Sequence, residues 1–268
     1  MDRAIARTFA DLHSSGKKAF IPFITSGDPD IQTTVRLVAE LERAGSSIVE
    51  LGIPFSDPLA DGPTIQRSSE RALRHGYRLA DHLEAIREIR RNTGIPLVIF
   101  SYFNPILQYG VERFARDAHQ AGANGVLITD LTPEESGEYR LCLDRSELDT
   151  IFLVAPTSTP ERAALISSCC RGFVYIVSRT GVTGAQEKLS DSILSTVERV
   201  RLHARLPVAV GFGISRPEQV RSVWEIAEGA VVGSAIVSRI EKNRDSKDLV
   251  SDVSNFCRWL TGGNDGQA

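Results

Sequence analysis

The chain has 268 residues, 42% hydrophobic and 24% charged, with a formal net charge of -3, which suits a globular protein long enough for one large α/β barrel. No block of like charge marks a nucleic-acid surface, since the most basic stretch, Arg87, Arg90 and Arg91, falls on a helical pattern where a solvated face accounts for it. No segment is long and apolar enough to cross a bilayer, the N-terminus lacks a secretory apolar core, and Cys142, Cys169, Cys170 and Cys257 form no C-x-x-C pair and read as reduced thiols of a cytoplasmic protein.

The first twenty residues are amphipathic and predict a helix ahead of the first strand. Then short, β-branched runs alternate with longer helical patterns: "AFIPFIT", "SSIVELG", "PLVIFSY", "NGVLITD", "TIFLVAP", "FVYIVSR", "PVAVGFG" and "GAVVGSA". Between them, "TTVRLVAELERAG" and "LADHLEAIREIRRN" have apolar spacing near 3.6. This alternation predicts a parallel sheet covered by helices. Eight units in one chain favour a single (β/α)8 TIM barrel with an extra N-terminal helix over residues 1–260, followed by a frayed polar tail at 261–268. An open doubly wound sheet is the alternative, because periodicity does not show closure. Thr132 and Ser215, each with Glu three residues on, predict hydroxyl caps for the helices that follow.

In a barrel the chemistry sits at the C-terminal ends of strands. The second run ends in "VELGIPFSDPLADGPT", and alternation there places Ile48, Glu50 and Gly52 on one face and Val49, Leu51 and Ile53 on the other. The aliphatic face belongs against helices, so Glu50 points into the barrel, with Gly52 leaving room for a ligand. Burial of that carboxyl raises its pKa and suits it to proton transfer; a structural Glu paired with Arg is the competing reading. Asp57, Asp61 and Asp130 have turn or cap roles open to them, and Asp61 gains weight only from its proximity to Glu50. Tyr102 and Tyr175 alternate onto inner faces.

The later strand ends carry glycines instead: Gly181, Gly184, Gly211, Gly213 and Gly233 fall in loops where backbone N–H groups converge on an anion such as phosphate. "GFGISR" has Arg216 where a dinucleotide fingerprint needs its third glycine. None of the five lysines ends a strand run, which argues against a Schiff base, and the five histidines fall in helical or connecting segments, which argues against a His metal site. Carboxylate acid–base chemistry on a phosphorylated substrate remains.

The motifs "ELGIPFSDPLADGP", "YFNPI", "LVAPTST", "SRTGVTGA", "GFGIS" and "VVGSAIV", in that order, resemble the tryptophan synthase α subunit family over nearly the whole chain. The resemblance implies cleavage of indole-3-glycerol phosphate to indole and glyceraldehyde 3-phosphate. It implies Glu50 as acid/base, Asp61 as the carboxylate at the indole N–H, and phosphate contacts at Gly184, Gly213, Gly233 and Ser234. It further implies an indole pocket and mobile loop using Phe23, Tyr102, Tyr175 and Thr183. Partner contacts fall at Pro58, Asn104, Pro105 and Ile106, against a β subunit in an α2β2 heterotetramer. No cofactor or metal belongs to this subunit, and pyridoxal phosphate belongs to the partner. Thr132, Arg179 and Thr180 stand at positions where the family varies. Three alternatives stay open: another sugar-phosphate isomerase or cyclising lyase, a non-catalytic regulatory subunit, or a stand-alone indole lyase.

Overall fold

A computed structural model describes residues 3–177, 191–211 and 213–262. Its strands are β1 (Ala19–Thr25), β2 (Val49–Gly52), β3 (Leu97–Ser101), β4 (Gly125–Ile128), β5 (Asp149–Ile151), β6 (Leu153–Val154), β7 (Val174–Val177), β8 (Val208–Gly211) and β9 (Gly229–Val232). Every ladder is parallel, in the order β5-β4-β3-β2-β1-β9-β8-β7-β6. The two ends of this series are pieces of one extended stretch: the fifth predicted run divides at Phe152, with β5 paired to β4 and β6 paired to β7. The Arg171 N–H donates to the Thr150 carbonyl at 2.7 Å and the Tyr175 N–H to the Phe152 carbonyl at 3.2 Å, so the ring is continuous through the division. The sheet is a closed (β/α)8 barrel, and the open doubly wound alternative falls away.

The pleat divides the apolar residues into two cores. Val49, Leu51 and Ile53 face outward into the large cluster between sheet and helices, whereas Ile48 joins Ile21, Val98, Leu127, Phe173 and Val231 inside the barrel, as the alternation predicts. The N-terminal helix Ala4–Ser14 closes the barrel's lower end, where the strands begin. Its buried Ile5 and Phe9 enter the inner core, and Phe9 lies 5.9 Å from the Phe173 ring. Arg3 anchors this helix by donating to the Leu148 carbonyl at 2.9 Å and to Asp149 Oδ1 at 3.2 Å.

Two predicted helix starts need correction. The helix after β4 begins at Gly137, and Thr132 instead closes a preceding turn by donating its hydroxyl to Glu135 at 2.9 Å. The helix Pro217–Ile226 is capped by Gln219, whose Oε1 accepts from the backbone of Ser215 at 2.8 Å and Arg216 at 3.0 Å, while Glu218 turns outward to Arg221. Gln219 rather than Glu218 sits on the buried face, so the amide becomes the cap. All four cysteines are buried and unbridged. Among the described residues no helix is long and apolar enough to cross a membrane. Thr261 and Gly262 form a turn after the last helix, and the frayed tail predicted beyond them lies outside the described residues.

One ion cluster joins three barrel segments. On the helix Pro63–Leu73, Arg71 grips the buried Asp28 of the β1 loop with two bonds, at 2.9 and 2.8 Å, and also reaches Glu241 at 2.7 Å. Glu241 lies on the helix Ser234–Asn243 and is gripped from the other side by Arg67 at 2.8 Å. Removing the arginine strands a buried carboxylate, which is the expensive way to break such a pair. Arg71→Leu is therefore expected to lower unfolding stability by about 3 kcal/mol, measured by urea denaturation.

Candidate active site

Glu50 stands in register with Phe23 on β1 and Val98 on β3, near the top of the inner core. It is 0% exposed, and neither carboxyl oxygen has a hydrogen-bond partner among the described residues. The paired-Glu reading is thereby excluded for those residues. Desolvation alone pushes its pKa up to about 8, so the group holds its proton at neutral pH.

Above it opens a cleft of about 430 Å³. Phe23, Phe100, Leu153, Tyr175 and Val231 give it apolar walls, Ala60, Asp61 and Ile65 one polar-edged side, and Gly211, Gly213, Gly233 and Ser234 the other. Phe23 and Phe100 meet edge to face at 5.2 Å, so a flat aromatic ligand would find an aromatic wall. Gly52 does not leave room for the ligand, as expected from sequence; a Cβ there would lie 2.5 Å from the Phe23 ring, so the glycine makes room for the wall itself. Gly211 serves Tyr175 in the same way, with the hydroxyl 2.7 Å from where a Cβ would be.

Asp61 is half-buried in the loop after β2, and desolvation raises its pKa to about 6 against an opposing hydrogen bond from Tyr102. The loop is pinned by the Ala60 N–H donating to the Tyr102 hydroxyl at 3.0 Å, and by Gln66 donating to the Asp61 carbonyl at 2.8 Å. Tyr102 thus stands behind the Asp61 loop and is not a lining residue of the cleft. Asp57 is exposed, bonded to its neighbour Ser56, and absent from the lining. Asp130 caps a helix from an unexpected side: its Oδ1 accepts from the Phe103 N–H at 2.7 Å, at the start of the helix Phe103–Tyr109 rather than of the one that follows it in the chain.

On the far side, Gly233 and Ser234 open the helix Ser234–Asn243 into the cleft. Gly213 stands beside them with φ +81 and free space where a side chain would be, a conformation that favours glycine. The first-turn N–H groups and the positive end of the helix dipole suit an anion. Lys, Arg and His are absent from the described lining. Gly181, Thr183 and Gly184 lie outside the described residues.

The predicted partner residues divide. Asn104 is exposed and Pro58 and Pro105 half-exposed, but Ile106 is fully buried in the outer core, because the helical turn starting at Phe103 rotates it inward. Phe55 is half-buried against Tyr102, with ring centroids 5.2 Å apart. Leu59 on the loop after β2 is 92% exposed, and Leu107 on the helix Phe103–Tyr109 is 53% exposed. Leu107, and the lining residues Phe100, Thr129, Leu153, Val177 and Val231, escaped the sequence reading; the alternation that singled out Glu50 would have found the strand residues among them.

Fold and cleft together define a (β/α)8 barrel with a buried carboxyl at the floor of a cleft that glycines and a helix N-terminus rim. The family model "Tryptophan synthase alpha chain" matches residues 9–261. The tryptophan synthase alpha chain of Geotalea daltonii is 49% identical over 259 residues, covering 97% of this chain and 98% of that one. That of Geobacter sulfurreducens is 51% identical over 256 residues, covering 96% and 97%. The crystal structure of the alpha subunit from Legionella pneumophila superposes with a TM-score of 0.90 at 34% identity, covering 98% and 99%. A chain from the tryptophan synthase α2β2 complex of Pyrococcus furiosus superposes at 0.86 with 38% identity, covering 91% and 98%. The chain belongs to the tryptophan synthase alpha chain family, lyases that cleave indole-3-glycerol phosphate in tryptophan biosynthesis.

Because the Phe23 ring fills the space over Gly52, Gly52→Ala is expected to displace that ring and to lower stability by about 1–3 kcal/mol, with the shift in midpoint read by thermal unfolding.

Proposed function

We propose that Glu50 carries the proton in the lyase reaction, that Asp61 holds the indole N–H, and that Gly213, Gly233 and Ser234 hold the substrate phosphate through their backbone. The observation that carries this reading is the unpartnered, wholly buried Glu50 carboxyl at the floor of a cleft, with Asp61 on one side and a helix N-terminus on the other. The chemistry balances with one group. Protonated Glu50 gives its proton to indole C3, the bond from C3 to the side chain breaks, and the side-chain hydroxyl becomes the aldehyde carbonyl as its proton passes to the Glu50 carboxylate. Glu50 is then restored. Positive charge that develops on the ring nitrogen during protonation is stabilised by ionised Asp61. Phe23, Phe100 and Tyr175 hold the ring and keep water out, which maintains the proton affinity of Glu50.

The opposed requirements set the pH dependence. The reaction needs Asp61 ionised and Glu50 protonated, so kcat/KM should fall below about 6 and again above about 8. Glu50→Gln should retain binding of a substrate analogue, while indole formation drops by roughly 100-fold or more; near-normal indole release would sink the assignment. Stability gives a second readout. The folded-state pKa of Glu50, about 8, lies above its ordinary 4.5, so the folded chain binds the extra proton between those values and loses stability as pH rises through them. Glu50→Gln should therefore gain a few kcal/mol over wild type between pH 5 and pH 9, followed by urea unfolding at each pH.

The face around Pro58, Leu59, Asn104, Pro105 and Leu107 is the docking surface for a tryptophan synthase β subunit, in an α2β2 assembly of the kind named for the Pyrococcus furiosus complex. Pyridoxal phosphate belongs to that partner, and the assembly works in the cytoplasm. Exposure of Leu59 on the loop after β2 and of Leu107 on the helix after β3 supports this reading. Leu59→Asp should weaken co-elution with the β subunit in gel filtration while leaving indole release by the isolated chain intact.

A further inference from the structure

A second cavity lies apart from the cleft. At the opposite end of the barrel, beside the N-terminal helix, lies a cavity of about 590 Å³ lined by Arg3, Arg140, Asp149, Ser167, Arg171 and Arg205, among others. Among the described residues Arg140 and Arg205 have no carboxylate within ion-pairing distance; Arg140 donates only to the Cys169 sulfur, at 3.0 Å. Among the described residues the Arg171 guanidinium has one ion pair, 3.3 Å to Asp144 at the rim, and Asp144 is already held by Arg3 at 2.6 Å. Four guanidinium groups therefore face two carboxylates, Asp144 and Asp149, an excess of two positive charges.

The floor is polar and incomplete. Asp149 is 2% exposed; its Oδ1 accepts from Arg3, but its Oδ2 has no partner among the described residues. Ser167, 4% exposed, likewise has an unpartnered hydroxyl. Buried polar atoms are nearly always satisfied, and an ionised carboxylate oxygen accepts only from a donor. Anchoring the N-terminal helix uses Arg3 and Asp149 Oδ1. Among the described residues it leaves Asp149 Oδ2 and the Ser167 hydroxyl without a partner, and Arg140 and Arg205 without an ion pair.

We infer that this cavity binds a small hydroxylated phosphate ester, with the phosphate on Arg140, Arg171 and Arg205 and a ligand hydroxyl donating to Asp149 Oδ2 beside Ser167. An excess of two positive charges matches a phosphate dianion, where a monocarboxylate would leave one unmet. Guanidinium forks suit its oxygens. The hydroxyl follows from the floor, since inorganic phosphate brings no comparable donor reaching that depth. The cavity is separate from the cleft and stands or falls independently of the roles given to Glu50 and Asp61.

The test compares the full chain with Arg140→Ala/Arg205→Ala, using equilibrium dialysis of labelled glycerol 3-phosphate. The double variant should bind one equivalent fewer per chain than wild type, with indole release unchanged as proof of folding and of an intact cleft. Ser167→Ala should weaken glycerol 3-phosphate at this site by roughly tenfold while barely changing inorganic phosphate. Equal stoichiometry in wild type and the double variant would overturn the proposal, as would loss of both phosphate probes alike in Ser167→Ala.

Discussion

The structure depends on keeping one carboxyl dry. Glu50 is fully buried and its carboxyl has no hydrogen-bond partner among the described residues, which is unfavourable for the charged form and tolerable only while the group keeps its proton. The surroundings impose this state. Below it the inner core is packed by Ile21, Ile48 and Val98 and sealed by Ile5 and Phe9 of the N-terminal helix; around it the ring of parallel strands closes through the divided fifth strand. An incomplete ring or an unplugged lower end would admit water and return Glu50 to an ordinary carboxylate. The helix ahead of the barrel is thus linked to chemistry at the other end, through hydration alone.

The sides of the cleft are tied to one another by charge. Arg71 and Arg67 join the helix behind Asp61 to Glu241 on the helix whose first turn is proposed to hold the phosphate, and Arg71 ties both to Asp28 in the β1 loop. Asp28 is 1% exposed, so this is a buried clamp and not a surface pair. It sets the separation between the group proposed to hold the ring nitrogen and the one proposed to hold the phosphate, the two ends of the same substrate.

Much of this was legible in the sequence because a strand's period of two is unforgiving. Val49 and Leu51 require helices on one side, which leaves Glu50 no direction but inward. The barrel follows from eight alternations, and only its closure needed coordinates, since the division at Phe152 leaves no mark in an apolar run. Other features depend on where neighbours stand. Gly52 signals space but not that Phe23 takes it. The choice of Gln219 over Glu218 as cap turns on which side of the helix is buried. Ile106 sits in a motif that the family resemblance assigns to the partner surface, and a single helical turn carries it into the core.

The loop after β2 has one further property. Leu59, almost fully exposed, is two residues from Asp61, and the Asp61 N–H donates to the Pro58 carbonyl at 3.0 Å, so the three share one tight turn. A body that covers Leu59 must also strip water from the neighbourhood of Asp61, whose proton affinity already stands above the ordinary carboxylate value for that reason. Association on this face and protonation of Asp61 are then two terms of one thermodynamic cycle: docking that dries the loop takes up protons near pH 6, and acidification tightens docking by the same free energy.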